Sequence, residues 1–242
     1  MSGGLRAVVF GASGGIGAAL VAQLEASGRF SAVHAGGRGL PTSAHPATRP
    51  FAFDLTDEAS IASAAAEIGA GGPLDLVLVA TGRLHGEGSP MPEKSWRAID
   101  GTAMAAMFAI NATGPALVAK HMLPLLHRDR RAVFAALSAR VGSIADNRLG
   151  GWHSYRATKA ALNMLVRNFA IEFAARNRAG IVVTVHPGTV DTALSRPFQR
   201  GVPPGALLSP QQSAGHILSV LDGLGPQDSG GLYAWSGERI AF

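Results

Sequence analysis

The chain has no cysteine among its 242 residues, which excludes disulfide scaffolds, thiolate metal sites, iron–sulfur clusters and a cysteine nucleophile together. Charged residues are 15% and aromatics 6%, so the basic stripe interleaved with rings that marks a nucleic-acid surface is missing. The formal charge is +5, yet only three of the 21 basic residues are lysines, and the densest basic cluster is Arg128, Arg130 and Arg131. No nucleic-acid partner is expected. No apolar run reaches the roughly 18 uninterrupted residues of a spanning helix, and the opening MSGGLRAVVF lacks the basic region, apolar stretch and cleavage site of a signal peptide. These absences give the expectation of a cytoplasmic chain without a membrane partner. His121, His127 and His153 have no ligand spacing with carboxylates, so no metal is assigned.

What the chain does have is apolar and regular. Hydrophobic residues make up 47%, with 31 glycines, a globular composition. Short β-rich runs fall at residues 5–10, 31–35, 49–54, 74–80, 132–138, 181–186 and 232–235. Helical patterns fill 15–27, 57–68, 99–126, 154–176 and 210–224. Strands such as DLVLVA and GIVVTVH are apolar without alternation, as required when helices cover both faces of a parallel sheet. The pattern predicts one doubly wound α/β domain over residues 1–242, with about seven parallel strands. Two segments break the rhythm. Residues 36–50 are too rich in glycine and proline for a crossover helix. Residues 193–209, with Pro197, Pro203 and Pro204, read as a mobile flap beside the site.

Gly11, Ser13, Gly14, Gly15, Ile16 and Gly17 lie in the turn that leaves the first strand and opens the first helix. Glycines there let the backbone approach a pyrophosphate, whose charge meets the positive end of the helix. A dinucleotide is the implied cofactor. Enzymes that prefer NAD place an acidic residue about 20 positions on, whereas an arginine accommodates the 2′-phosphate of NADP. Between Glu25 and Asp54 there is no acidic residue, and Arg38 follows Gly36 and Gly37. NADP is therefore the expected cofactor, with NAD as the alternative.

The glycines at Gly11, Gly15 and Gly17 read G-x-x-x-G-x-G, and Tyr155-Arg156-Ala157-Thr158-Lys159 reads Tyr-x-x-x-Lys. With two tyrosines and three lysines in the chain, such a pairing arises by chance about once in forty sequences. Together these motifs resemble the short-chain dehydrogenase/reductase family. Further matches are Asp54-Leu55, Ala80-Thr81-Gly82, Asn111, Ser138 to Gly142 and Pro187-Gly188. The stretch SARVGSIADNRLGGWHSYRATKAALNM is similar to the carbonyl-reductase and C-factor-like branch.

Carbonyl reduction needs a proton on oxygen as well as a hydride on carbon, and Tyr155 is the natural acid. Lys159 lies one helical turn on. An ammonium about 4 Å from the phenolate, at an effective dielectric near 20, predicts a phenol lowered by up to roughly three pKa units, and a helix N-terminus pushes the same way. The resemblance implies that Lys159 also binds the nicotinamide ribose, and that Asn111 bends its helix and holds a relay water. It further implies that Asp54 accepts from the adenine amino group, with a simple strand-end cap as the alternative. Thr81 stands where the family has alanine, Gly82 permits close backbone approach, and Val190 and Thr192 hold the carboxamide. The substrate expected is a small or medium carbonyl or alcohol, its specificity set by the flap and residues 83–93. The alternative is a dinucleotide-binding signalling protein of C-factor type with little turnover.

One position departs from the pattern. Relatives read Ser-Ser-x-x-Gly, with the second serine on the substrate oxygen, whereas this chain reads Ser138-Ala139-Arg140-Val141-Gly142. Three readings stay open: Ser138 turns in at the strand end, Ser143 reaches the site from the following loop, or no serine takes part. Ser138 is the favoured one. Finally, residues 99–126 and 154–176 are apolar over more than one face, which predicts a homodimer or homotetramer.

Overall fold

Val8 and Phe10 of the first strand, β1 (Leu5–Phe10), join one apolar cluster, while Ala7 and Val9 join another. Consecutive strand residues point to opposite faces, so helices must cover both. The computed structural model describes residues 4–40, 45–86 and 91–242. One face carries α2 (Glu58–Ala70), α4 (Gly114–Met122) and α5 (His153–Ala174), which bury Ile61, Met122, Leu162 and Phe173. The other carries α1 (Gly15–Ala26) and α6 (Pro210–Gly223), which bury Leu20, Leu24 and Ile217.

The sheet runs β3 (Thr48–Ala52), β2 (Phe30–Gly37), β1, β4 (Leu76–Val79), β5 (Ala132–Leu137), β6 (Gly180–His186), β9 (Leu232–Ala234) and β10 (Arg239–Ile240). Seven of these strands are parallel, as the sequence predicts; β10 pairs antiparallel with β9 at the edge. Strand order reverses between β1 and β4, where the two halves diverge and leave a crevice at the carboxyl ends of the strands.

One local feature differs from the sequence reading. The predicted helix over 99–126 is α3 (Gly101–Phe108), a π-helical turn over Ala109–Thr113, and α4. The wide turn falls on Asn111, whose side chain bonds outside the helix, and π-turns of this kind mark functional positions. The 193–209 segment, expected to be mobile, forms a 3-10 turn over Arg196–Gly201 and the strand β8 (Leu207–Leu208), which pairs with β7 (Thr189–Val190). The connection from β2 to β3, read as too rich in glycine and proline for a crossover helix, has no helix among the described residues; residues 41–44 of that connection, and 87–90 of the 83–93 loop, lie outside them.

Candidate active site

The glycine loop is fixed by backbone geometry. Gly11 has φ +92°, and its N–H and that of Ala12 both donate to the Gly36 carbonyl, at 2.9 and 2.8 Å. A Cβ on Gly17 would lie 2.0 Å from the Gly11 oxygen, so no side chain fits where helix α1 crosses the loop. A Cβ on Gly15 would meet the Thr192 methyl at 2.9 Å, which shows that the Pro187–Thr192 segment packs directly on the loop. Ile16 belongs to the core beneath it. At the start of α1, Gly14 supplies no side-chain cap and the first turn holds no acidic residue. Its N–H groups are therefore available to an anion.

From this loop a cleft of about 890 Å³ runs over the sheet edge, lined by Ser13, Gly14, Arg38, Asp54, Leu55, Ala80, Thr81 and Gly82 among others. The Thr81 hydroxyl is buried without a hydrogen-bond partner among the described residues. A dinucleotide fits these residues: a side-chain-free cradle, an uncapped helix end, an arginine at the rim and an orphaned hydroxyl. Asp54 already has a local task. Its Oδ1 accepts from the Thr56 hydroxyl at 2.7 Å and the Thr56 N–H at 2.8 Å. Those bonds, with Arg38 adding charge, hold its carboxyl below the usual carboxylate range. That is the strand-end cap, made by one carboxylate oxygen.

Tyr155 and Lys159 are buried together near the start of α5, 8% and 3% exposed. Lys159 Nζ lies 5.8 Å from the centre of the Tyr155 ring and donates to the Leu137 carbonyl at 2.9 Å. Burial pushes the Tyr155 phenol up to about 12 and Lys159 down to about 8. The lowered phenol expected from sequence is thus not what this geometry gives. Loss of water around both groups outweighs their attraction, because desolvation disfavours each charged form.

Asn111 is fully buried. Its Oδ1 accepts from Arg83 N at 2.8 Å and its Nδ2 donates to Arg83 O at 2.7 Å. Nδ2 also lies 3.3 Å from Thr158 Oγ1, which donates to the Tyr155 carbonyl. A Cβ on Gly82 would stand 3.6 Å from both Asn111 Oδ1 and Lys159 Nζ, so these three positions converge.

The serines are placed elsewhere. Ser138 Oγ donates to Asn163 Oδ1 at 2.7 Å, and Ser143 Oγ donates to the Ala241 carbonyl while accepting from Asp146 N. Tyr155 shares an apolar cluster with Leu84 and Met107, against which Ala139, Val141, Trp152, Leu194 and Phe198 pack. Favouring Ser138 gains no support from this: its hydroxyl is turned to Asn163 of α5, and the next residue, Ala139, packs against the cluster that includes Tyr155.

Sequence reasoning missed the latch around this pocket. Trp152 is left-handed at φ 51°, an uncommon conformation for a bulky residue. It is held there by Trp152 N donating to Glu93 O at 2.6 Å. The Glu93 carboxylate receives the Ser154 N–H and hydroxyl. Burial raises that carboxyl, but the bonds from Ser154 and from its own backbone N–H, with the charge of His153, together outweigh burial and hold it below its ordinary value. Opposite, Phe198 packs on Trp152 at 4.8 Å between ring centres, and the His85 ring nitrogen bonds the Leu194 carbonyl. The Gly150-Gly151 pair before the helix was the available signal, since both adopt positive φ.

The model of the short chain dehydrogenase family matches residues 6–202. The C-signal of Myxococcus xanthus is 37% identical over 144 residues, covering 60% of this chain and 81% of the relative. The 1-hydroxy-2-glutathionyl-2-methyl-3-butene dehydrogenase of Rhodococcus sp. (strain AD45) is 36% identical over 124 residues, half the length of each chain. An NADPH-bound carbonyl reductase from chicken fatty liver superposes with a TM-score of 0.83 at 27% identity, over 100% of this chain and 96% of that one. A match that begins in β1, takes in the cleft and the Tyr155–Lys159 pair and ends at the flap makes this chain an oxidoreductase of the short-chain dehydrogenase/reductase family.

Proposed function

We propose that the chain is an NADP(H)-dependent carbonyl reductase, working also in reverse as an alcohol dehydrogenase, on small or medium uncharged organic substrates. The observation that carries this reading is the burial of Tyr155 beside Lys159. When bound, the dinucleotide supplies or accepts the hydride. The glycine loop and the N-terminus of α1 would hold its pyrophosphate, Arg38 its 2′-phosphate, and Val190 and Thr192 its carboxamide, with NAD a weaker alternative. Tyr155 keeps its proton at neutral pH and donates it to the substrate oxygen as negative charge grows there. The phenolate so formed lies beside Lys159, whose ammonium stabilises it in a site from which water is excluded. Lys159, its pKa lowered to about 8 by burial, then returns a proton to Tyr155 and regains one from bulk water before the next turnover. The wall of Leu84, Met107, Val141, Trp152 and Phe198 favours apolar substrates.

A second reading, a dinucleotide-binding signalling protein with little turnover, is favoured by one observation: the hydroxyls of Ser138 and Ser143 are both bonded elsewhere, and Ala139 packs against the cluster that includes Tyr155. The resemblance to a C-signal points the same way. Self-association is part of the proposal, since Met164 and Ile171 of α5 are 62% and 60% exposed, and a second copy would cover them.

A panel of aldehydes, ketones and alcohols, followed at the nicotinamide absorbance with NADPH and NADH, tests both readings. Turnover of an apolar carbonyl with NADPH is expected. Tight NADPH binding without turnover of any member would overturn the reductase reading in favour of the second.

A further inference from the structure

We infer that the segment Glu238–Phe242 is part of the catalytic wall. On this view it clamps residues 138–143 against Tyr155 and Lys159, and Ser143 is the positioning residue that joins the two. The inference rests on the proposal above that Tyr155 and Lys159 carry the reaction.

The inner side of the 138–143 stretch meets the reacting pair at several points. Lys159 Nζ is bonded to the Leu137 carbonyl just before it. Ala139 and Val141 pack against the apolar cluster that includes Tyr155. A Cβ on Gly142 would lie 2.7 Å from Lys159 Cβ, so this backbone rests directly on α5 with no room to approach further. Asn163, one helical turn beyond Lys159, bonds both Ser138 Oγ and the Gly142 carbonyl. A small shift of this stretch therefore moves the surface against which both functional groups are held.

The outer side is fixed by residues far along the chain. Ser143 Oγ donates to the Ala241 carbonyl, and Ala145 N donates to Phe242 O at 3.1 Å. Arg140 bonds Glu238. These contacts are not equivalent. The Arg140–Glu238 pair is 39% and 57% exposed in its side chains, and exposed pairs contribute little. Ser143 is 2% exposed and uses both its donor and its acceptor, so it carries the junction. The clamp itself is anchored, because Ile240 is buried on the apolar cluster of Leu232 and Ala234, and Ala234 N donates to Glu238 O. Residues 238–242 lie beyond the 6–202 span of the family match.

The test pairs kinetics with hydrogen exchange on the full chain. Ser143→Ala should lower kcat about tenfold, with the KM for NADPH within about twofold, since misplacement at a reacting centre reduces rate rather than cofactor binding. Amides of 139–145 should exchange faster in that variant. Asn177→Ala, which breaks three bonds at the far end of the sheet, should lose stability yet keep kcat. The clamp is overturned if Ser143→Ala keeps kcat within about twofold with unchanged exchange, or if Asn177→Ala loses kcat equally. Should Ser143→Ala fail to fold, exchange in the unsubstituted protein decides. Protection of the Ala145 and Gly142 amides lost together with that of Ile240 supports the clamp, and release of 238–242 while 139–145 stay protected overturns it. That measurement needs no turnover, so a protein that reduces no substrate refutes the functional reading and leaves the clamp judged on exchange alone.

Discussion

Lys159 Nζ lies 5.8 Å from the centre of the Tyr155 ring but gives its hydrogen bond to the Leu137 carbonyl. The ammonium is thus buried with one neutral partner, and burial pulls its pKa from 10.5 to about 8. Below pH 8 folded and unfolded chains are both protonated, and the cost of burying the charge is fully present. As pH rises from about 8 to 10.5 the folded protein releases the proton first, so stability rises. Lys159→Met should therefore be more stable than the parent at pH 7, by at most about 3 kcal/mol less about 1 for the orphaned Leu137 carbonyl. The gap should close towards pH 9.5. Urea midpoints at the two pH values check this, and a variant less stable at both would show the hydrogen bond outweighing desolvation.

Cofactor choice follows from Arg38 at the rim of the cleft and from a loop with no carboxylate between Glu25 and Asp54. A guanidinium on a phosphate makes charge-assisted bonds worth about 1.5 to 3 kcal/mol. Arg38→Ala should raise the KM for NADPH about tenfold or more and leave that for NADH nearly unchanged. Equal effects on both cofactors would place Arg38 outside the phosphate site.

Asn111 satisfies both backbone groups of Arg83 from inside the π-turn. Asn111→Leu leaves those groups unpaired, at about 2 to 4 kcal/mol, or roughly 5 to 10 °C in Tm for a chain this size. Calorimetry measures it. A change under about 2 °C would mean that water replaces the amide at little cost.

How far the sequence could be read depends on how each feature is encoded. The apolar runs of β1, β4, β5 and β6 carry their own periodicity, so the sheet, its helices and the glycine loop were legible. Strands β7, β8 and β10 have two residues each, too few for any period, and exist because tertiary contacts hold them. The Glu93–Ser154 latch joins residues 61 apart and has no local signature. The spacing of Tyr155 and Lys159 predicted that they would be neighbours, but spacing contains no information about solvent. The pKa directions are set by burial, and they run opposite to the expectation for the phenol.

The strand end at Ser138 shows what one residue of phase decides, and it supplies the last prediction. Adjacent residues of an extended chain face opposite ways; here Ser138 turns to Asn163 and Ala139 packs against the cluster that includes Tyr155. Ser138→Ala should cost about 1 kcal/mol, because Asn163 Oδ1 loses its donor, and should leave kcat within a few fold. Ala139→Ser should do the reverse. It places a hydroxyl against the wall of the phenol, where a second donor to the substrate oxygen is worth about 1 to 2 kcal/mol in the transition state. That is roughly a five- to thirtyfold rise in kcat/KM for a simple ketone. Steady-state kinetics and unfolding midpoints of the two variants decide between the residues. A Ser138→Ala enzyme that is fully stable but inactive, beside an Ala139→Ser enzyme no faster than the parent, would return the oxygen-holding role to Ser138.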